Sequence, residues 1–265
     1  MGRVLIVTGG GSGIGAAVAR GAAEDDHVVI CGRRKEALDR VAAETGAEPR
    51  VCDVASPGAV AELVEGVVAT HGRLDGLVAN AGVLRNGAIL DLSPEDWQVT
   101  VDTNLTSVFL LAKAALPHLI EARGALVTVS SVAALRVPTG VAAYATSKAG
   151  LTMLTQTIAA DYGPRGVRAN VVCPGWIRTE MSDAEMEVFG GPHGLGREEA
   201  YEEVTRLVPQ RRAGSPEEAA AAVLWLLGPE ASYVNGAVLS VDGGTALPDP
   251  GTVPFEFQIT PRPSS

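Results

Sequence analysis

Tyr144 and Lys148 lie four residues apart in Ala142-Ala143-Tyr144-Ala145-Thr146-Ser147-Lys148, inside a stretch that reads as a helix. Residues at that spacing share a helix face. A phenol ionises near pH ~10, which makes it a feeble proton donor-acceptor for carbonyl chemistry at neutral pH. A nearby ammonium favours the phenolate, so Lys148 is expected to lower the Tyr144 pKa. On spacing alone, Tyr-x-x-x-Lys also reads as an ordinary surface pair. A second constellation sits near the amino terminus. Val4-Leu5-Ile6-Val7 runs into Thr8-Gly9-Gly10-Gly11-Ser12-Gly13-Ile14-Gly15 and then into an Ala-rich helix. Glycines let the backbone turn sharply and approach a pyrophosphate without a Cβ in the way. The helix amino terminus then offers free N–H groups and partial positive charge. An ATPase phosphate loop needs Lys and Ser/Thr where Ala16-Ala17 stand, which excludes it. Gly11-x-Gly13-x-x-Ala16 matches a dinucleotide fingerprint loosely, and a tight turn without ligand would use the same glycines. The strand–turn–helix context favours a dinucleotide.

The elements that must position these residues are legible as an alternation. Apolar runs at Val4–Val7, Val28–Cys31, Arg50–Cys52, Leu74–Ala79, Ala125–Val129, Arg168–Cys173 and Val238–Val241 read as strands buried on both faces. Between them, Ile14–Ala23, Glu36–Glu44, Pro57–His71, Pro94–Leu116, Ala142–Tyr162 and Pro216–Leu227 read as helices. Ser56-Pro57, Ser93-Pro94 and Ser215-Pro216 each give an N-cap followed by Pro in the first turn. Such alternation predicts an α/β chain: a Rossmann-type, doubly wound, parallel seven-stranded sheet with helices on both faces. Residues 1–247 are expected to form one domain. Residues 180–207 are an acidic insertion past the sixth strand, readable as a substrate lid or as a solvated surface excursion. The Pro-rich extension 248–265 carries Val253, Phe255, Phe257 and Ile259 in alternation, which suggests packing on a neighbouring subunit or across a cleft.

Thr8-Gly9-x-x-x-Gly13-x-Gly15 has the spacing found in the short-chain dehydrogenase/reductase family, and further motifs agree in order. Ala79-Asn80-Ala81-Gly82 resembles the family's Asn-Asn-Ala-Gly, with Ala79 in place of the first Asn. Asp53-Val54 resembles its adenine contact, Pro174-Gly175-Trp176-Ile177-Arg178-Thr179 its Pro-Gly turn, and Val241-Asp242-Gly243-Gly244 its closing motif. The resemblance covers residues 3 to 247. It implies that Tyr144 is the general acid or base and that Ser131 stabilises charge on the same oxygen. Ser130 is a rival for that role, but Ser131 lies 13 positions before Tyr144, the family's usual interval. Lys148 would hold the nicotinamide ribose, and Asn104 would bind backbone and a water relaying protons. The resemblance further implies that Thr8, Gly9, Gly11, Ser12, Gly13, Ile14, Gly15, Asn80, Ala81, Gly82, Pro174, Gly175, Ile177 and Thr179 surround the cofactor.

An NAD site usually ends its second strand in Asp or Glu, but that position here is Gly32, followed by Arg33 and Arg34. Guanidinium groups bind a 2′-phosphate that a carboxylate would repel. NADP(H) is therefore expected over NAD(H), with Arg33 as main contact. The substrate pocket is expected from Ala133, Leu135, Val137, Pro138, Trp176, Met181, Val188 and Phe189, whose apolar character suits a hydrophobic ketone such as a 3-oxoacyl or polyketide-like one. Alternatives are NAD(H)-dependent oxidation of a small polyol, sugar or steroid alcohol, and a non-catalytic NADP sensor. All four polar residues are present, which speaks against the sensor. A carrier-protein-bound substrate would need basic residues at the mouth, for which Arg123, Arg136 and Arg165 are candidates.

A net charge of -10 disfavours nucleic acid and anionic membranes as partners. No apolar stretch of spanning length without Gly, Pro or charge is expected. Cys31, Cys52 and Cys173 are odd in number and sit in apolar runs, so they read as buried thiols of a reducing compartment. No His pair has metal-ligand spacing, and no metal is expected. With a strand-like run at the very start, the expected location is cytoplasmic. The resemblance implies a homo-oligomer, commonly a tetramer.

Overall fold

The computed structural model describes residues 2–249, so the expected packing of the 253–259 segment lies outside the described residues. Seven short strands build the sheet: β1 (Val4–Thr8), β2 (His27–Gly32), β3 (Glu48–Val51), β4 (Gly76–Ala79), β5 (Ala125–Val129), β6 (Arg168–Pro174) and β7 (Val238–Val241). All pair in parallel, in the order β3-β2-β1-β4-β5-β6-β7. Every residue of β1 is buried because both sheet faces are covered. Leu5 and Val7 point to one face and pack with α1 (Gly13–Ala22), α2 (Lys35–Thr45) and α9 (Pro216–Leu227). Val4 and Ile6 point to the other and pack with α3 (Pro57–His71), α5 (Ser107–Ala122) and α6 (Ala142–Tyr162). Ser56, Ser93 and Ser215 cap their helices as expected, each accepting a backbone N–H of the first turn, with Pro beside them.

Two readings are corrected. β7 is only partly covered at one edge of the sheet, and β3 is not buried on both faces: most of its side chains are exposed, because it pairs only with β2 at the other edge. Its Glu-Pro-Arg composition suits an edge, where a missing N–H and charged side chains discourage further pairing. The helix expected at Pro94–Leu116 comprises α4 (Pro94–Val101), a widened π-turn at Asp102–Thr106, and α5, which continues through Pro117 to Ala122. Pro117 removes a bond to the Lys113 carbonyl, but both residues are exposed, so water can satisfy that oxygen. The whole run Pro94–Ala122 is 29 residues long with a mean hydropathy of 1.3 in its most apolar window, enough by length and composition to cross a membrane. Its apolar residues Val108, Leu111, Ala115 and Leu119 are buried in the core. Residues 180–207, the acidic insertion, hold two helices, α7 (Glu180–Gly190) and α8 (Arg197–Thr205).

At the amino-terminal end of the sheet, the fold joins residues that the sequence scatters. Glu48 lies 3.0 Å from His71 Nε2 and 3.7 Å from His27 Nε2, and Arg50 pairs with the same carboxylate.

The β1–α1 turn depends on close backbone approach. A Cβ on Gly15 would stand 2.4 Å from the Gly9 carbonyl oxygen and 2.6 Å from Asn80 Nδ2. Neither group can yield without opening the turn. Gly15→Ala should therefore cost about 1–3 kcal/mol, as overpacking does, and should weaken dinucleotide binding. Chemical denaturation with a wild-type midpoint would contradict this.

Candidate active site

The glycine turn is tied to the end of β4. Thr8 Oγ1 accepts the backbone N–H groups of Asn80 and Ala81, both at 3.0 Å, and donates to the Val78 carbonyl. Asn80 Nδ2 donates back to the carbonyls of Thr8 (2.9 Å) and Gly9 (3.4 Å). Gly9 (φ +66°) and Gly13 (φ +52°) adopt the left-handed region that favours glycine. Ser12 caps α1 in position only: its hydroxyl makes no bond to the first turn and instead accepts from Arg34 at 3.1 Å. The first N–H groups of α1 therefore lack a side-chain acceptor, and Gly11, Ser12, Gly13 and Ile14 line a cleft of about 700 Å³. Orphan donors at a helix start are an anion site. Thr8 and Gly15 stand behind this wall, holding it, and do not line the cleft.

The cleft continues past Gly32, Arg33, Arg34, Asp53 and Val54 on one side. Arg33 is exposed, and among the described residues nothing pairs with it. Arg34 is engaged by Glu180 at 2.7 Å. Asp53 accepts the Ala55 N–H at 3.0 Å. On the other side lie Asn80, Ala81, Gly82, Pro174, Gly175, Ile177 and Thr179. Thr179 also caps α7 through a reciprocal pair of bonds with Ser182.

Of the four polar residues, Ser131, Tyr144 and Lys148 line the cleft, while Asn104 is buried behind it. Asn104 lies in the π-turn and is 0 % exposed. It accepts the Val83 N–H (2.8 Å) and donates to the Val83 carbonyl (2.9 Å) and Ser147 Oγ (3.1 Å). Ser131 follows β5, caps a short helical turn by accepting the Ala133 N–H, and lines the cleft with Tyr144, whose phenol pKa its hydroxyl pulls down. Its rival Ser130 is turned away, donating to the Lys148 carbonyl at 2.9 Å. Tyr144 and Lys148 share a face of α6, with Nζ 5.6 Å from the phenol ring centre and donating to the Val129 carbonyl at 2.9 Å. The expected acidification of Tyr144 by Lys148 is overturned. Burial raises the phenol pKa to about 12, and the Ser131 hydroxyl only partly opposes it. Burial likewise lowers Lys148 to about 8. Desolvation penalises the charged form of each, and no fixed charge nearby compensates.

Of the expected pocket residues, Ala133, Pro138, Trp176, Met181 and Phe189 line the cleft. Trp176 and Phe189 meet edge-on with ring centres 6.1 Å apart. Val137 does not line it; it is 92 % exposed at the tip of its loop, while its neighbours Arg136, Pro138 and Thr139 turn inward. Leu135 and Val188 also stand outside. Arg136 borders the cleft, but Arg123 and Arg165 precede β5 and β6 and so lie at the opposite end of the sheet. Glu185 lines the cleft and was not anticipated. The signal was present: it lies four residues from both Met181 and Phe189, on one helical face.

A glycine turn opening a helix at the point where strand order reverses, facing a Ser–Tyr–Lys group across one cleft, defines a nicotinamide-dinucleotide oxidoreductase on a doubly wound sheet. The glycine-lined wall and uncapped helix start fit the dinucleotide's diphosphate. Comparison with known proteins agrees. A family model described as enoyl-(acyl carrier protein) reductase matches residues 9–246. Protein MoaE of Klebsiella aerogenes is 40% identical over 96% of this chain and 100% of its own length. The 3-oxoacyl-[acyl-carrier-protein] reductase FabG of Thermotoga maritima is 36% identical over 93% of this chain and 98% of its own. Among solved structures, an actinorhodin polyketide ketoreductase with NADPH superposes with a TM-score of 0.89 at 34% identity, covering 93% of this chain and 98% of that one. The chain belongs to the short-chain dehydrogenase/reductase family, NAD(P)-dependent enzymes acting on alcohol and ketone groups.

The pKa direction is measurable. In dinucleotide-free protein, the tyrosinate absorbance of wild type and Tyr144→Phe should titrate identically up to about pH 10, since Tyr144 ionises near 12. A wild-type phenolate appearing near neutrality and missing from the variant would refute the shift.

Proposed function

We propose that this chain transfers hydride between NADP(H) and a ketone or its secondary alcohol, with ketone reduction as the favoured direction. The observation that carries this reading is the Ser131–Tyr144–Lys148 group at the floor of the cleft that the glycine turn also lines. The bound dinucleotide would supply or accept the hydride. The chain does the rest. Tyr144, protonated at neutral pH, donates its proton to the carbonyl oxygen as the carbon is reduced, and takes it back from the alcohol in reverse. Ser131 hydrogen-bonds the same oxygen and stabilises charge developing there. Lys148, which lines the cleft, would hold the ribose hydroxyls of the bound dinucleotide. Asn104 holds Val83, and its Oδ1 and Lys148 Nζ flank one space: a Cβ built on Gly82 would meet them at 3.3 and 3.5 Å. That space suits a water passing protons from Lys148.

Three observations support NADP(H) over NAD(H). Gly32 puts no carboxylate at the end of β2, Arg33 lines the cleft without a partner, and the ketoreductase neighbour was solved with NADPH. Two of the three candidate basic residues lie far from the mouth, which favours a free small molecule over a carrier-bound one. Phe109 and Met153 stand exposed on α5 and α6, which supports self-association through these helices, and the tetramer is the family expectation. The three cysteines are buried and unpaired, in keeping with a reducing, cytoplasmic setting. NAD(H)-dependent polyol oxidation remains the second reading, favoured by the carboxyl of Glu185 in the pocket wall.

Tyr144→Phe should abolish ketone reduction while leaving NADPH affinity within about twofold, measured by fluorescence titration; an active variant would overturn the assignment. Arg33→Ala should raise the KM for NADPH about tenfold, in line with one charge-assisted contact, and leave that for NADH nearly unchanged. A lower KM for NADH than NADPH in the wild type would refute the preference.

A further inference from the structure

Helix α7 has two working faces. Ser182, Met186 and Gly190 recur every four residues and pack inward, where Met186 joins Tyr201 and Ala200 of α8 in a small buried cluster. Met181, Glu185 and Phe189 recur in the same step, one residue earlier, and line the cleft. A carboxyl group is thus set between two apolar side chains, on the wall that faces the substrate.

Several of its acidic neighbours on the lid are committed, and Glu187 is exposed to solvent. Glu180 pairs with Arg34, Asp183 accepts from Tyr201 and lies 3.6 Å from Arg197, and Glu198 pairs with Arg178. Glu185 is different: among the described residues, no hydrogen bond or ion pair reaches it. It is not a solvated surface acid either, because burial raises its carboxyl pKa to about 7 and its charge adds to the upward push on Tyr144. Both groups line the same cleft, with Glu185 half-buried in its wall. Holding an unpartnered carboxyl there costs stability unless something completes it.

We propose that Glu185 accepts a hydrogen bond from the substrate, so that the preferred substrate carries a hydroxyl or ammonium group within a few carbons of the reacting carbonyl. This rests on the oxidoreductase reading above and sharpens it, replacing a purely hydrophobic ketone by a hydroxy or amino ketone and the corresponding alcohols. The apolar residues on either side bracket the carbon chain, and the carboxyl sets which end of it enters. An ammonium would gain a full ion pair and favour the carboxylate; a hydroxyl would gain one hydrogen bond. Both donors use the same acceptor.

The test compares isosteres. Butan-2-ol, propane-1,2-diol and 1-aminopropan-2-ol differ only in a terminal methyl, hydroxyl or ammonium, and the series one carbon longer extends the reach. Oxidation of each with saturating NADP⁺ is measured for wild type, Glu185→Gln and Glu185→Leu. In wild type, kcat/KM should favour at least one donor-bearing member over its methyl isostere by about tenfold or more, the worth of a charge-assisted hydrogen bond. Glu185→Leu should reverse that ratio by about tenfold, and Glu185→Gln should retain the hydroxyl preference better than the ammonium one. The KM for NADP⁺ should stay put. Glu185→Leu should also raise the thermal midpoint, because it removes a half-buried carboxyl that no described residue partners. Equal ratios in wild type and Glu185→Leu would overturn the proposal, as would an effect confined to the KM for NADP⁺, which would assign the carboxyl to the cofactor. If wild type oxidises none of the alcohols, methyl isosteres included, the oxidoreductase reading fails instead. Calorimetric binding of the same alcohols to wild type and Glu185→Leu then decides the role of Glu185: weaker binding of donor-bearing members to the variant supports it, and no difference overturns it.

Discussion

The site exists because Thr8 and Asn80 lock the carboxyl ends of β1 and β4 together. Between these two strands the sheet order reverses: the chain builds outward through β2 and β3, then returns to start β4 on the other side of β1. Helices leave the two strand ends toward opposite faces there, and a crevice opens. Left alone, its lips would be two strand termini with unpaired backbone groups. The Thr8 hydroxyl takes two N–H groups from the β4 side, and the Asn80 amide returns two bonds to carbonyls on the β1 side. Gly15 makes this geometry attainable, since any Cβ there would occupy the space of the Asn80 amide. The first turn of α1 is left facing outward with donors to spare, and Ser12, which would ordinarily cap it, is drawn off to Arg34. Polar satisfaction behind the turn and its absence in front of it are two sides of one arrangement.

Desolvation sets the chemistry in front of that turn. Tyr144 is moved up, Lys148 down and Glu185 up, all with burial as the largest cause. The protein alone thus drives the three groups toward neutrality. A neutral phenol beside Ser131 is a proton donor, which is the form ketone reduction uses. It is a poor base, and alcohol oxidation needs the phenolate instead. Positive charge brought into the cleft would favour both the phenolate and the Glu185 carboxylate. The charge of the bound molecules, not of Lys148 alone, therefore sets the proton inventory of this site.

Much of this was legible in the sequence, and the failures share a cause. The five inner strands were visible because parallel strands covered on both faces leave continuous apolar runs, and the catalytic group because Tyr144 and Lys148 fall on one helical turn. β3 was misread because an edge strand buries little and so keeps charged residues. The length of the Pro94–Ala122 run was missed because Pro117 ordinarily ends a helix, while on a solvent-facing turn it need not. Val137 was placed in the pocket for its apolar type, yet in a loop type does not determine direction. Arg123 and Arg165 were grouped with Arg136 by charge, although each precedes a strand and must lie at its amino-terminal end. Glu185 was passed over because attention went to the apolar residues on either side of it, when the shared period made all three one surface. In each case local pattern held and three-dimensional placement decided.

The lid makes that placement consequential. Its rear face is held by a buried cluster around Met186 and Tyr201, which keeps α7 and α8 together as a unit. Its attachment to the rest is slighter. Arg34–Glu180 reaches across from the start of α2, and both partners are more than half exposed. An exposed pair of this kind contributes about 0–1 kcal/mol. A rigid helical pair on a weak tether can admit a substrate without unfolding anything. The tether also sorts the two arginines at the end of β2. Arg34 is already balanced by Glu180, while Arg33 faces the cleft with its charge uncompensated by any described residue, so an anionic group arriving there meets Arg33 first. Arg34 thus stands between the end of β2 and the start of α7, and an anion it took up would compete with Glu180 for the same guanidinium.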